Sequence, residues 1–153
     1  MSMLAERQLN YLLNSKLNDI LPPFVNMGIP GLNFGMQGVQ FTATSTTAEN
    51  QMLSNPMYVH SIPNNNDNQD IVSMGANAAM IAKKVIENAY EIVAIELITV
   101  IQAIDYLSTQ DRISSKTQKM YEDIRKIVPP LKEDKVMYPY VHKVKAYLME
   151  NDI

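Results

Sequence analysis

The sequence predicts an all-α fold: a bundle built around one long helix and completed by oligomerisation. Three observations carry this. Apolar residues recur at helical spacing through most of the 153 residues. Strand-like alternation is nearly absent. One apolar stretch without proline runs from about residue 71 to 107.

The elements follow in order. Leu4, Leu9, Leu12 and Leu13 predict a short amphipathic helix over 3–13. Pro22 and Pro23 interrupt the chain, and Pro30-Gly31 marks a turn. A second helix is expected from near Asn33 to about Leu53, before Asn55-Pro56. Its middle, Gln40 to Ala48, is rich in Thr, a mediocre helix former in isolation. The small and β-branched residues there suggest close helix packing, and a strand is the alternative. Ser115-Lys-Thr-Gln118 reads as a capping box that opens a further helix, ending before Pro129-Pro130. Pro139 fits the first turn of a last helix, from Tyr140 to about Glu150.

The long helix over 71–107 would extend roughly 55 Å at 1.5 Å per residue. Its first half carries a polar stripe of Lys83, Lys84, Glu87, Asn88 and Glu91. Beyond it, Ile92, Val93, Ile95, Leu97, Ile98, Val100, Ile101 and Ile104 cover nearly every direction. A helix apolar all round is buried all round. The chain offers too few other helices to surround it, so subunit partners are expected. Glu96, Gln102 and Asp105 lie inside this half and are expected to pair across helix contacts, because an unpaired buried charge is costly.

Composition narrows the function. With 46% hydrophobic and 19% charged residues, the chain has the makings of one folded core. Net charge is -3 and the Lys and Arg residues are scattered, so nothing suggests a nucleic-acid surface. The absence of Cys excludes disulfides, thiolate metal sites and Cys nucleophiles, and fits a reducing compartment. The first residues read as a helix rather than a signal peptide, and the uncharged run from Leu97 to Ile104 is too short to span a bilayer. A cytoplasmic protein is expected. The 11 Met residues fill irregular gaps in a helical core and identify no ligand.

A polar segment precedes the long helix. Five Asn between Asn55 and Asn68, with Asp67, Gln69 and Asp70, place amides and carboxylates beside a buried element. Such groups need partners, so the segment is either a binding site or a solvated loop with a cap at its end. There is no glycine-rich phosphate loop, no His-x-x-x-His pair and no Ser elbow. His60 either touches a ligand or bonds a backbone carbonyl, and His142 is expected on an outer helix face. Glu122 and Asp123 read as a solvated face.

Several motifs occur together in order: Gly31-Leu-Asn-Phe-Gly-Met36, Ala48-Glu-Asn-Gln51, Asn55-Pro56, His60-Ser-Ile-Pro63, Asn68-Gln-Asp70, Val72-Ser-Met-Gly75, Ala94-Ile-Glu-Leu97 and Val128-Pro-Pro-Leu131. Together they resemble the C-terminal part of the aromatic amino acid ammonia-lyase and aminomutase family, over essentially the whole chain. The resemblance implies an all-α homotetramer around long helices. It implies a single segment, 1–153, equivalent to the C-terminal third of a lyase subunit. Family members eliminate ammonia from histidine, phenylalanine or tyrosine, or move the amine to the β-carbon. Their electrophile is a methylidene-imidazolone formed from an Ala-Ser-Gly tripeptide, which this sequence does not contain.

The resemblance also assigns residues. Gln69 matches a position that is Glu in histidine lyases and Gln in many phenylalanine and tyrosine enzymes. A neutral amide suits a phenyl or phenol ring, whereas a carboxylate suits an imidazole. Asn68 and Gln69 would lie near the start of the long helix, where its partial positive charge favours polarised groups. Gln37 matches a position that is Met in histidine lyases and Lys in plant phenylalanine lyases. Asn65 falls where phenylalanine lyases carry Glu, a departure closer to bacterial tyrosine lyases and aminomutases. His60, Asn33 and Phe34 are further candidates. Two functions are therefore expected: a segment of a lyase or aminomutase that is inactive without the Ala-Ser-Gly portion, or a non-catalytic helical oligomer derived from one. A relation to the fumarase and aspartase superfamily is the weakest reading, because its Gly-Ser-Ser-x-Met-Pro signature is absent.

Overall fold

The computed structural model describes residues 1–56, 59, 62–66, 68 and 72–151. These form six α-helices: α1 (Ser2–Leu13), α2 (Ser15–Asn18), α3 (Gln37–Met52), α4 (Gly75–Leu107), α5 (Ser115–Ile127) and α6 (Tyr138–Glu150). Two short 3₁₀ turns, Pro23–Val25 and Gln110–Arg112, lie in the connections. Among the described residues there is no extended sheet, and Pro30 and Asn33 form an isolated bridge. The all-α expectation holds.

The axis of the molecule is α4, against which α1, α3 and α6 lay their apolar faces. Ala5, Leu9 and Leu13, one helical turn apart, form the buried face of α1. Leu4, expected in that face, points outward at 63% exposure, and Ala5 takes its place. In α4, Ile92, Ile95, Ile98 and Ile101 are buried. Each fully buried Leu or Ile contributes about 1.5–3 kcal/mol by leaving water. The Thr-rich stretch is helical, not extended. Ala43 and Thr47, four residues apart, are its buried positions, which small side chains allow at a close helix contact.

Several helix starts differ from expectation. Residues 33–36 are not helical, because Gly31 (φ +83) and Gly35 (φ +59) occupy left-handed conformations that a right-handed helix cannot contain. The long helix begins at Gly75, since residues 72–74 are non-helical and Met74 is itself left-handed (φ +48). Its other end is closed at Ser108, also left-handed, whose N–H donates to the Asp105 carbonyl at 3.1 Å. The cap of α5 is Ser114, one residue earlier than expected. Its Oγ accepts the Thr117 N–H at 3.2 Å, while the Gln118 side chain donates to Glu122. The last helix starts at Tyr138, two residues before the expected Tyr140, with Pro139 in its first turn as expected.

Buried polar side chains replace missing backbone partners. Asn18 donates to the carbonyls of Tyr11, Leu12 and Asn14 and accepts from the N–H groups of Ile20 and Leu21. It thereby closes α1 and α2 together. Glu49 and Asn50, from the Ala48-Glu-Asn-Gln51 motif, hold α3 to α4. Asn88 donates to Glu49 at 2.7 Å and to Asn50 at 2.9 Å, and Asn50 donates to Ser2 Oγ at 2.8 Å. No helix among the described residues is long and apolar enough to cross a membrane.

Candidate functional site

The 26–37 stretch builds one wall of a cleft. Asn26 Nδ2 donates to the Asn33 carbonyl at 2.7 Å, and Asn33 Oδ1 accepts the Ile29 N–H at 2.9 Å. Met36 is buried, and its N–H donates to the Phe24 carbonyl at 3.0 Å. These bonds turn the chain so that Phe34 points outward and α3 starts at Gln37. Gln37 and Phe41, four residues apart, then share one face of α3.

The opposite wall is the segment leading into α6. Phe34, Gln37, Phe41 and Thr42 face Lys135, Val136, Met137 and Tyr138 across a cleft of about 560 Å³. Its chemistry is mixed. Aromatic and aliphatic surface dominates, with one neutral amide, the hydroxyls of Thr42 and Tyr138, the Asp134 carboxylate and the Lys135 ammonium. Such a surface can hold an aromatic ring by area and orient it by a few polar contacts.

The structure brings two of the expected site residues together: half-buried Gln37 and exposed Phe34. Asn33 is a bracing residue of the turn and does not line the cleft. Asn65 and Asn68 are exposed. The Asn68 N–H donates to the Asn65 carbonyl at 3.1 Å, and Asn65 and Asn66 are both left-handed (φ +55). Gln69 and His60 lie outside the described residues. His142 is exposed, with its ring 4.3 Å from that of Tyr138. Among the described residues no three His, Asp or Glu converge to hold a metal ion. Sequence reasoning missed Phe41, Thr42 and the 134–138 wall. The helical offset from Gln37 could have found Phe41. Nothing local in 134–138 announces a wall.

A second concavity runs along α4. Ile86, Tyr90, Val93, Leu97 and Val100 line an apolar trough of about 740 Å³, flanked by Met120 and Leu148. Glu96 lies in it, half-buried, and the pairing expected of it is not made within the described residues of this chain. Arg7 borders an adjoining recess with Glu96 but forms no ion pair with it. Gln102 and Asp105 are paired as expected. Gln102 bonds the Leu131 backbone, and Asp105 bonds Arg125, Tyr121 and Gln110.

Desolvation raises the Glu96 pKa above the ordinary carboxylate range. The folded chain therefore binds this proton more tightly than the unfolded chain. The stabilisation is complete below the unfolded-state value and is lost as pH rises through the folded-state value. Glu96→Gln removes this dependence. The stability of Glu96→Gln relative to the parent chain, followed by urea unfolding, is expected to grow as pH rises through that interval. A difference that stays flat with pH would contradict the assignment.

The same segments place the chain among known proteins. The family description for aromatic amino acid lyases matches residues 1–126. The chain belongs to the aromatic amino acid lyase family. It is 38% identical to histidine ammonia-lyase 1 of Fusobacterium nucleatum, an alignment spanning 100% of this chain and 30% of that enzyme. It is 41% identical to the MIO-dependent tyrosine 2,3-aminomutase of Streptomyces globisporus, over 90% of this chain and 25% of that enzyme. The crystal structure of the tyrosine aminomutase from Streptomyces globisporus superposes with a TM-score of 0.92 at 39% identity, covering 96% of this chain and 28% of that one. The chain thus spans less than a third of the length of these relatives, and it aligns to their C-terminal part.

Proposed function

We propose that this chain supplies the substrate-side C-terminal segment of an aromatic amino acid ammonia-lyase or aminomutase. The observation that supports this best is the cleft in which Gln37 and Phe34 meet an aromatic and aliphatic wall. Gln37, Asn65, Asn68 and Gln69 are the substrate-facing residues in this reading, with His60 as a further contact. Gln69 favours a phenyl or phenol ring over an imidazole, because a neutral amide offers no charge to an imidazolium. Amines are poor leaving groups and the β-proton of an amino acid is weakly acidic, so the elimination needs a strong electrophile. The family's methylidene-imidazolone cannot form here, since the sequence has no Ala-Ser-Gly. The electrophile must come from another portion, whether of a longer polypeptide or of a separate chain. No reaction step is assigned to this chain through that group.

The apolar trough on α4 supports assembly, either with that portion or with further copies in a cytoplasmic tetramer. It also favours the second reading, a helical module that keeps the bundle without catalysis. Co-expression with an Ala-Ser-Gly-bearing lyase portion separates the two. Release of an aryl acrylate, or of a β-amino acid, is expected only when both parts are present. Gln69→Ala is expected to lower kcat/KM by about tenfold or more, as for loss of one oriented polar contact. A stable oligomer that never gains turnover would select the non-catalytic reading.

A further inference from the structure

Two backbone N–H groups at the rim of the cleft converge on one carboxylate from far along the chain. The Phe34 N–H lies 3.0 Å from each Asp134 oxygen, and the Gly35 N–H lies 3.2 Å from Asp134 Oδ1. Bonds to an ionised acceptor are roughly twice as strong as neutral ones. They act on the residues immediately before Gln37. Asp134 is itself held in place, because the buried Gln102 side chain accepts the Leu131 N–H at 3.1 Å and donates to the Leu131 carbonyl at 2.8 Å. Gly28 permits the 26–35 turn to lie against the Lys132 carbonyl, which a Cβ there would meet at 2.4 Å. The path from α4 to the cleft therefore runs Gln102, Leu131, Asp134, Phe34, Gln37. Asp134 is exposed, so its removal takes no packing from the core. It also lies beyond the 1–126 family match.

We infer that Asp134 is a positioning residue. It fixes the distance between the Gln37 amide and the Lys135–Tyr138 wall, and so the width of the slot offered to an aromatic ring. This rests on the proposed substrate-side role of Gln37. Asparagine at 134 keeps one acceptor for the two N–H groups, and alanine keeps none.

The test compares Asp134→Ala with Asp134→Asn in two settings. In the chain alone, Asp134→Ala should speed amide exchange at Phe34 and Gly35 by about tenfold. It should also shift the NMR resonances of the Gln37 side-chain amide, with Asp134→Asn intermediate in both. A Gln37 amide that does not move overturns the inference, whatever happens to the thermal midpoint. In the complemented enzyme, with L-tyrosine and L-phenylalanine as probes, Asp134→Ala should raise KM by about tenfold while kcat falls less. It should add little to Gln37→Ala, because residues acting through one another are not additive. Fully additive losses overturn the inference. Absence of turnover with the parent chain would refute the proposed function instead, and the Gln37 resonances would still decide the role of Asp134.

Discussion

Asp105→Ala is expected to destabilise the chain by about 3–5 kcal/mol, the cost of breaking a buried ion pair from one side. The Asp105 and Arg125 side chains are only 9% and 12% exposed and form an ion pair between α4 and α5. Asp105 also accepts from the Tyr121 hydroxyl and from Gln110 Nε2. Arg125 donates to the Val128 carbonyl at 2.9 Å and approaches the Tyr121 ring face at 5.9 Å. Removing the carboxylate leaves a guanidinium and a phenol buried against each other, with no acceptor between them. The attraction of the intact pair is not the source of the effect, since desolvation offsets much of it. The effect comes from the stranded charge. Lys83→Ala is the control. Its partner Glu87 is 4.0 Å away and the pair faces solvent, so less than about 0.5 kcal/mol should change. Urea unfolding of both variants decides the matter. An Asp105→Ala loss under 1 kcal/mol, roughly the value of one ordinary hydrogen bond, would mean that the cluster is solvated.

Gly28→Ala should cost about 2–4 kcal/mol, more than Gly31→Ala, although Gly28 does not have the positive φ that makes Gly31 look indispensable. A Cβ at Gly28 would lie 2.4 Å from the Lys132 carbonyl oxygen and 2.6 Å from Asn33 Oδ1. The first is backbone and cannot rotate away. The second is the acceptor that braces the Ile29 N–H. At Gly31 a Cβ meets nothing within 4 Å, so only the left-handed conformation opposes it, at about 1–2 kcal/mol. Thermal unfolding of the two variants should rank Gly28→Ala lower. The reverse order would show that the 26–35 turn and the 131–135 segment can separate freely.

The helices were readable from sequence because the information is local. Leu9 and Leu13, the Ile92–Ile101 series and Pro139 state their helices through spacing and backbone chemistry alone. What failed was position within a turn. Ser114 displaced Ser115 as a cap, and Gly35 delayed α3 to Gln37, because cap geometry depends on dihedrals that neighbouring Ser and Gly residues specify only in context. The cleft was half legible. Gln37 and Phe34 came from motif resemblance. Their facing wall comes from about 100 residues away and is held by the Gln102–Leu131 and Asp134 contacts, which no periodicity encodes. Glu96 finds no partner among the described residues of this chain for a related reason. Burial on α4 was expected to be completed by subunit partners, and within this chain the stripe that carries Glu96 stays open.

The 132–136 segment has a bearing on how such a cleft could be altered. Leu131 and Asp134 fasten it, while Lys132, Glu133, Lys135 and Val136 are exposed and their side chains bond nothing among the described residues. A stretch fastened at Leu131, at Asp134 and at the start of α6, with free side chains between those points, tolerates replacement without disturbing the helices beneath it. Variation at Lys135 and Val136 would change the shape and charge presented to an incoming ring at almost no cost in folding. A library confined to those two positions is the smallest one that would sample new ring preferences on an unchanged bundle.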